Sequence, residues 1–400
     1  METMKILWVD EFLCYPPTSG GLSRAYGLVK FLSRHVQIVY FAPRRRSTDD
    51  EGIKHLKGLG ITVSTVERPV KRKITKAIFS RVKGLFEPYP AHWVLSWDNT
   101  IKSALVDVIN EYGPSLIVGE RLCTCRWLDL DRIKVPFVLG NDNVETILES
   151  QIAAAMRWSP EGLLRKWEVR KVRTYESYVA SRAALSIVVS ETDRDQLKEI
   201  CPTAQIVVVP NGVDLEQFSE VGPTHSGIVV FTGTLSYLPN IEAVNIIVRE
   251  IFPKVKALAP QARFRIVGRT PPESMLKSVQ KGVEIIPNVP DIRPYIAEAD
   301  VVIVPLTSGS GTRIKILEAM GMGKAIVSTS KGAEGLDVKD GYDIVIRDRV
   351  DEFAKAVAYL LDQPSTRASL GHNARLTAEQ RYSYNSLASH LAAVLSSIRD

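Results

Sequence analysis

No apolar run in this 400-residue sequence approaches the ~20 residues that a bilayer-spanning helix requires. Cysteine is scarce, with only Cys14, Cys123, Cys125 and Cys201. Cys123-Thr-Cys125 has no second pair and the six histidines are scattered, so no zinc-type ligand set is spelled out and no metal is expected. Thiols used in this way fit a reducing, cytoplasmic compartment. The opening METMKILWVD, acidic at Asp10 and Glu11, is too short for a secretory signal and reads as a first strand. There is no repeat of fixed period and no low-complexity tract. No G-x-G-x-x-G follows the first strand, which removes the usual signature of a nicotinamide-dependent oxidoreductase. The basic residues are not interleaved with stacking aromatics, which speaks against nucleic acid as a partner.

What remains is ordinary soluble-protein composition, 45% hydrophobic and 24% charged, in a chain long enough for two cores. The net charge of +6 is unevenly placed. Residues 1–200 hold 30 Lys and Arg against 24 Asp and Glu, and residues 201–400 hold 21 against 21. Much of the excess lies in RPVKRKITKAIFSRVKGLF (68–86), with seven basic residues and no acidic one. Such a stretch is a solvated helix face, a contact for the inner face of an anionic membrane, or a receiver for a phosphate-bearing substrate.

Short β-rich runs alternate with helix-like segments. KILWVD (5–10), HVQIVYFAP (35–43), SLIVGE (115–120), PFVLGN (136–141) and ALSIVVS (184–190) are strands of a first set. The pattern restarts after the turn-rich PNGVDLEQF (210–218), with GIVVFTG (227–233), RFRIVG (263–268), VEIIP (283–287), DVVIVPL (300–306) and KAIVST (324–329). The fold class is therefore α/β, two doubly wound Rossmann-like domains facing each other across a cleft. Residues 1–209 form the first and 210–380 the second, and an amphipathic helix over 381–400 packs back on the first.

Ligands of such sheets gather beyond the carboxyl ends of the strands. After DVVIVPL comes SGSGTRIKILEAMGMGK (308–324). Ser308 to Thr312 make a flexible turn, with Ser310 or Thr312 as the cap of a helix running Arg313–Met320. Its first amides, the approach allowed by Gly311, the fork of Arg313 and the point charge of Lys315 suit a diphosphate. Glu318, on the same face as Lys315 but deeper, suits the hydroxyls of a ribose. Together these residues point to a nucleotide-sugar; the alternative is a capped helix with an exposed Lys315–Glu318 pair. Three more loops carry candidates. CYPPTSGGLSRAYG (14–27) opens a helix at Gly20-Gly21. FTGTLSYLPNIEA (231–243) places Gly233 and Thr234 at a strand end. LGNDNVETILES (139–150) runs from a strand into Asn141, Asp142 and Asn143, which face a ligand or cap the next helix. Asn288, in IPNVPDIRPYIAEAD (286–300), joins the donor-binding candidates with Ser310 and Thr312, beside the Gly/Pro-rich loops GRTPPE (268–273) and KGAEGL (331–336).

These segments resemble the retaining glycosyltransferases of family 4, which have the two-Rossmann GT-B fold. GTRIKILEAMGMGKAIVSTSKGAEGL is similar to that family's donor-binding block and IVVVPNGVDLEQF to its interdomain segment. FTGTLSYLPNIEAV and PPTSGGLSRAYGLVKFLSR are similar to its two phosphate-side loops. The resemblance implies sugar transfer from a UDP- or GDP-linked donor to a glycan or lipid-linked acceptor, with retention and without an essential metal or other cofactor. It implies a donor held mainly by the second domain and an acceptor by the first. Glu318 matches the ribose-binding glutamate, Gly21 the loop at the diphosphate, and Asp142 a polar position near the transferred sugar. The chain departs from the family pattern at Ser310, where many members have a second glutamate. It departs again at Leu235 and Asn240, where many have an arginine and a lysine. Arg313 and Lys315 are expected to supply those cations and, with Asp142, to carry catalysis. A nucleotide-sugar epimerase, a sugar phosphorylase and a catalytically silent sugar-nucleotide-binding protein are the alternatives on this fold.

Overall fold

The computed structural model describes residues 4–45, 48–67, 87–93, 98–156, 159–222, 224–277, 280–309 and 313–399. The basic stretch 68–86 and Ser310, Gly311 and Thr312 lie outside the described residues. The chain divides into two units, Met1–Pro210 with Ala388–Asp400, and Asn211–Leu387.

The first unit is built on seven strands: β1 (Lys5–Val9), β2 (Gln37–Pro43), β3 (Thr62–Val66), β4 (Leu116–Glu120), β5 (Phe137–Gly140), β6 (Leu185–Val188) and β7 (Ile206–Val208). All pair in parallel in the order β3-β2-β1-β4-β5-β6-β7. Among the described residues its helices are α1 (Gly20–Leu32), α2 (Asp49–Gly58), α3 (Asp98–Tyr112), α4 (Glu145–Ala155), α5 (Pro160–Arg182) and α6 (Glu191–Ile200). The second unit has six parallel strands, β8 (Ile228–Thr234), β9 (Arg263–Arg269), β10 (Val283–Pro287), β11 (Val301–Val304), β12 (Ala325–Ser328) and β13 (Val345–Ile346), ordered β10-β9-β8-β11-β12-β13. Its helices are α7 (Leu238–Ile246), α8 (Phe252–Leu258), α9 (Glu273–Lys277), α10 (Arg293–Glu298), α11 (Ile314–Gly321), α12 (Val350–Asp362) and α13 (Pro364–Thr377). The last helix, α14, spans Tyr384–Arg399.

The central strands are continuous apolar runs because helices cover both faces of a parallel sheet. KILWV of β1 and VVIV of β11 are buried almost throughout. Separate cores follow, one around Leu7, Val39, Ile117 and Leu139 and one around Phe231, Ile266, Ile303 and Val327.

The helical stretch from Leu238 to Leu258 contains a π turn at Ile247–Ile251. Pro253 has no amide hydrogen, so the ladder widens in the turn before it. The C-terminal helix begins at Tyr384, not 381, because Ser383 is extended and bridges Val213.

In each sheet the chain reverses direction of travel once. The reversal falls between β1 and β4 in the first unit and between β8 and β11 in the second. A crevice opens beyond the strand ends at such a switch point. Asp10 and Arg121 immediately follow β1 and β4, while Gly233-Thr234 ends β8 and Ser308-Gly309 follows β11.

Candidate active site

In the second unit the switch-point residues meet at Gly233. A Cβ at Gly233 would lie 2.9 Å from Asn240 Nδ2 and 2.9 Å from Lys315 Nζ, so only glycine leaves both groups in place. Asn240 Nδ2 donates to the Thr234 carbonyl at 2.8 Å, which turns Oδ1 toward Lys315 and accepts from its Nζ at 2.8 Å. Lys315 Nζ also stands 4.2 Å from the Phe231 ring centroid, within cation–π range. The lysine of α11 therefore reaches the β8 end where the family pattern puts a cation and this chain has Asn240.

Arg313 does not lie in the first turn of the helix. It is the cap residue, at φ −83° and ψ 88°, and the helix starts at Ile314. The helix thus begins one residue later than the expected Arg313, and the capping candidates Ser310 and Thr312 lie outside the described residues. The reason is local: Ile314 opens an apolar stripe with Ile316, Leu317 and Met320 that must face the core, and this sets where the helix begins. Arg313 is only 7% exposed, with Nη2 near the Ser308 carbonyl at 3.4 Å. Gly309, at φ +98°, makes room for that guanidinium.

Lys315 and Glu318 are not the exposed ion pair of the alternative reading. Each retains some solvent contact at its surface but is densely surrounded by protein. Burial lowers the Lys315 ammonium to about 7, Arg313 pushes it the same way, and Glu318 opposes both. Burial raises the Glu318 carboxyl to about 7 against the pull of Lys315 and Arg269. Both groups are strained toward neutrality, a condition that an anionic and hydroxyl-bearing ligand relieves. Asn288 sits at φ +55°, and its Oδ1 accepts from the Thr270 amide at 2.9 Å, so its side chain braces the β9 and β10 ends.

In the first unit α1 starts at Gly20, capped by Ser19, whose hydroxyl accepts from Leu22. A Cβ at Gly21 would fall 2.4 Å from Asp142 Oδ2 and 3.3 Å from an Arg121 Nη, so the glycine, the acid and the guanidinium share one place. Asp142 and Asn143 do not cap α4. That role belongs to Glu176 of α5, whose carboxylate accepts from Glu145 N at 2.9 Å and Thr146 N at 3.0 Å. Asp142 is thus left facing the α1 start.

Sequence reasoning passed over Asp10, Glu120 and Arg121 as site residues. Asp10 is fully buried, accepts from Tyr40 Oη at 2.8 Å and pairs with Arg121. Arg121 holds φ +69°, a strained backbone for a non-glycine, directly after β4. Burial and the nearby Asp10 raise the Glu120 carboxyl to about 7. Asn141 is 2% exposed, and among the described residues neither its Oδ1 nor its Nδ2 has a hydrogen-bond partner. The available signal was position: each polar residue is the first to close an apolar strand, as in KILWVD, LIVGE and FVLGN. Among the described residues, no group of three His, Cys, Asp or Glu is placed to hold a metal ion.

Two family profiles match in tandem. Glycosyltransferase Family 4 covers residues 19–217, and Glycosyl transferases group 1 covers residues 226–363. The chain belongs to this glycosyltransferase family. Its two sheets are those of the GT-B fold, as structural neighbours show. Anabaena HepE, solved with UDP and glucose, matches at a TM-score of 0.67 and 15% identity, over 98% of this chain and 100% of its own. Sucrose-phosphate synthase from Thermosynechococcus elongatus matches at 0.70 and 15%, over 99% of each chain. The pneumococcal O-GlcNAc transferase GtfA, solved with UDP and GlcNAc, matches at 0.66 and 10%, over 100% of this chain and 99% of its own. No curated protein matches the sequence. No helix among the described residues of this glycosyltransferase is long and apolar enough to cross a membrane.

Proposed function

We propose that this glycosyltransferase moves a hexose from a UDP- or GDP-linked donor to a glycan or lipid-linked glycan, with retention of anomeric configuration. The observation that carries the donor half is the meeting of Lys315, Asn240 and Gly233 at the β8 end, with Arg313 and Glu318 on the same short segment. Lys315 and Arg313 meet the diphosphate, and Glu318 accepts from the ribose hydroxyls. HepE and GtfA, each solved with UDP, support UDP as the nucleotide to test first.

Departure of the nucleoside diphosphate builds charge on its β-phosphate. Cations fixed before the reaction stabilise that charge without reorganisation. On this reading no divalent ion is needed at the diphosphate. Retention proceeds by same-face attack, with the departing phosphate taking the acceptor's proton. Asp142 and the unpaired Oδ1 and Nδ2 of the Asn141 side-chain amide are polar groups of the first unit that suit sugar hydroxyls. Contact with the inner face of a membrane through 68–86 fits a lipid-linked acceptor.

Thermal-shift titration with UDP, GDP and ADP, followed by transfer assays with the matching sugars, tests this. The expected result is stabilisation by one nucleoside diphosphate and an acceptor-dependent product of unchanged anomer by NMR. Absence of stabilisation by every nucleoside diphosphate refutes the donor assignment. Interconversion of the donor without an acceptor would identify an epimerase, and turnover requiring free phosphate a phosphorylase.

A further inference from the structure

We infer that the outer face of α5 is a docking surface for an anionic lipid bilayer. The helix has two distinct sides. Val172, Tyr175, Glu176, Val179 and Ala180 are buried against the first unit. On the other side Lys166, Trp167, Arg170 and Thr174 are exposed at helical spacing. Trp167 is 49% exposed and neighbouring Leu164 46%, so an indole and an aliphatic side chain stand among the cations of this face. Lys171 stands 5.1 Å over the Trp167 ring, so charge and indole form one patch.

Composition decides the occupant. Indole and lysine or arginine stems settle at the level of lipid headgroups, with the cations toward anionic lipid. A bilayer with negative headgroups complements the cations and the indole of this face together. The inference rests on the proposed lipid-linked acceptor only for its purpose, since the surface stands independently of the transfer chemistry.

The test is sedimentation of the full chain with vesicles of 30% phosphatidylglycerol in phosphatidylcholine, at low and high salt. Wild type binds at low salt and releases at high salt. The double change Lys166→Gln with Arg170→Gln weakens partitioning about 30-fold, roughly five-fold for each cation. Trp167→Ala weakens it about ten-fold. Circular dichroism and UDP calorimetry on the same samples report the fold and the donor site. A variant that loses vesicles but retains UDP supports the surface. Loss of UDP binding in wild type refutes the donor reading and leaves the vesicle result standing. Wild type that ignores these vesicles, α5 variants that bind as wild type does while Lys71→Gln, Arg72→Gln and Lys73→Gln together abolish binding, or capture of single-stranded RNA in place of vesicles would each overturn the inference.

Discussion

Binding of a nucleoside diphosphate should draw a proton into the site, and Lys315 is the group that takes it. Its ammonium is pushed down to about 7 by burial and then by Arg313, far below the ordinary lysine range. A diphosphate beside it favours the charged form and restores a high pKa. With a free-site pKa of about 7, roughly one site in eleven is charged at pH 8. Ligand binding then takes up ~0.9 proton at pH 8, where Glu318 is already largely ionised. The terminal phosphate of UDP, titrating near pH ~6, is already ionised at pH 8 and adds little. Affinity consequently weakens by close to tenfold for each pH unit above about 8. Calorimetry at pH 8 in buffers of different ionisation enthalpy reads the proton count from the slope of apparent enthalpy. Lys315→Met preserves the stem, removes the titration and should bring the slope to zero with weaker binding. Heat independent of buffer in the wild type, or a slope that survives in Lys315→Met, refutes the reasoning. The sign for stability follows from the same shift. Between about pH 7 and the ordinary lysine range the unfolded chain binds more protons than the folded one, so the ligand-free protein gains stability as pH rises through that window.

Glu318→Gln should separate stability from binding: UDP affinity falls about 10- to 100-fold with the charged acceptor gone. Its ligand-free melting temperature at pH 8 rises, because a carboxyl raised to about 7 is ionised there at a burial penalty. Arg313→Ala should lower donor kcat/KM by ~1.5–3 kcal/mol of transition-state stabilisation, and an unchanged value would reject its role. Gly233→Ala places a Cβ 2.9 Å from both Asn240 and Lys315; donor kcat/KM should drop about tenfold or more, with ~1–3 kcal/mol lost from stability by denaturant titration. Glu176→Ala removes the acceptor of two α4 amides and should lower stability by ~2 kcal/mol, while UDP affinity measured by calorimetry stays within about twofold.

Much of this architecture was readable in the chain because parallel strands announce themselves. KILWV, LIVGE, FVLG and VVIV are short apolar runs closed by a polar or glycine residue, and that closure also marks the strand ends where ligands gather. The nearness of Gly233 to Lys315 was not readable. Eighty-two positions separate them, and nothing local says that α11 aims its lysine at the end of β8. Spacing predicted that Lys315 and Glu318 share a face, yet spacing carries no information on burial, which is what brings both to about 7. The start of α11 was misread for a related reason. The helix begins at Ile314 because the apolar stripe beginning there had to meet the core, and packing sets the start of a short amphipathic helix. Capping by Glu176 shows the same rule from the other side. A buried carboxylate thirty residues away does for α4 what Asp142 could have done locally, and so releases Asp142 to stand beside Gly21. Local propensity thus failed where long-range packing frees a polar residue for a ligand, the circumstance in which a disagreement between sequence pattern and fold points to function.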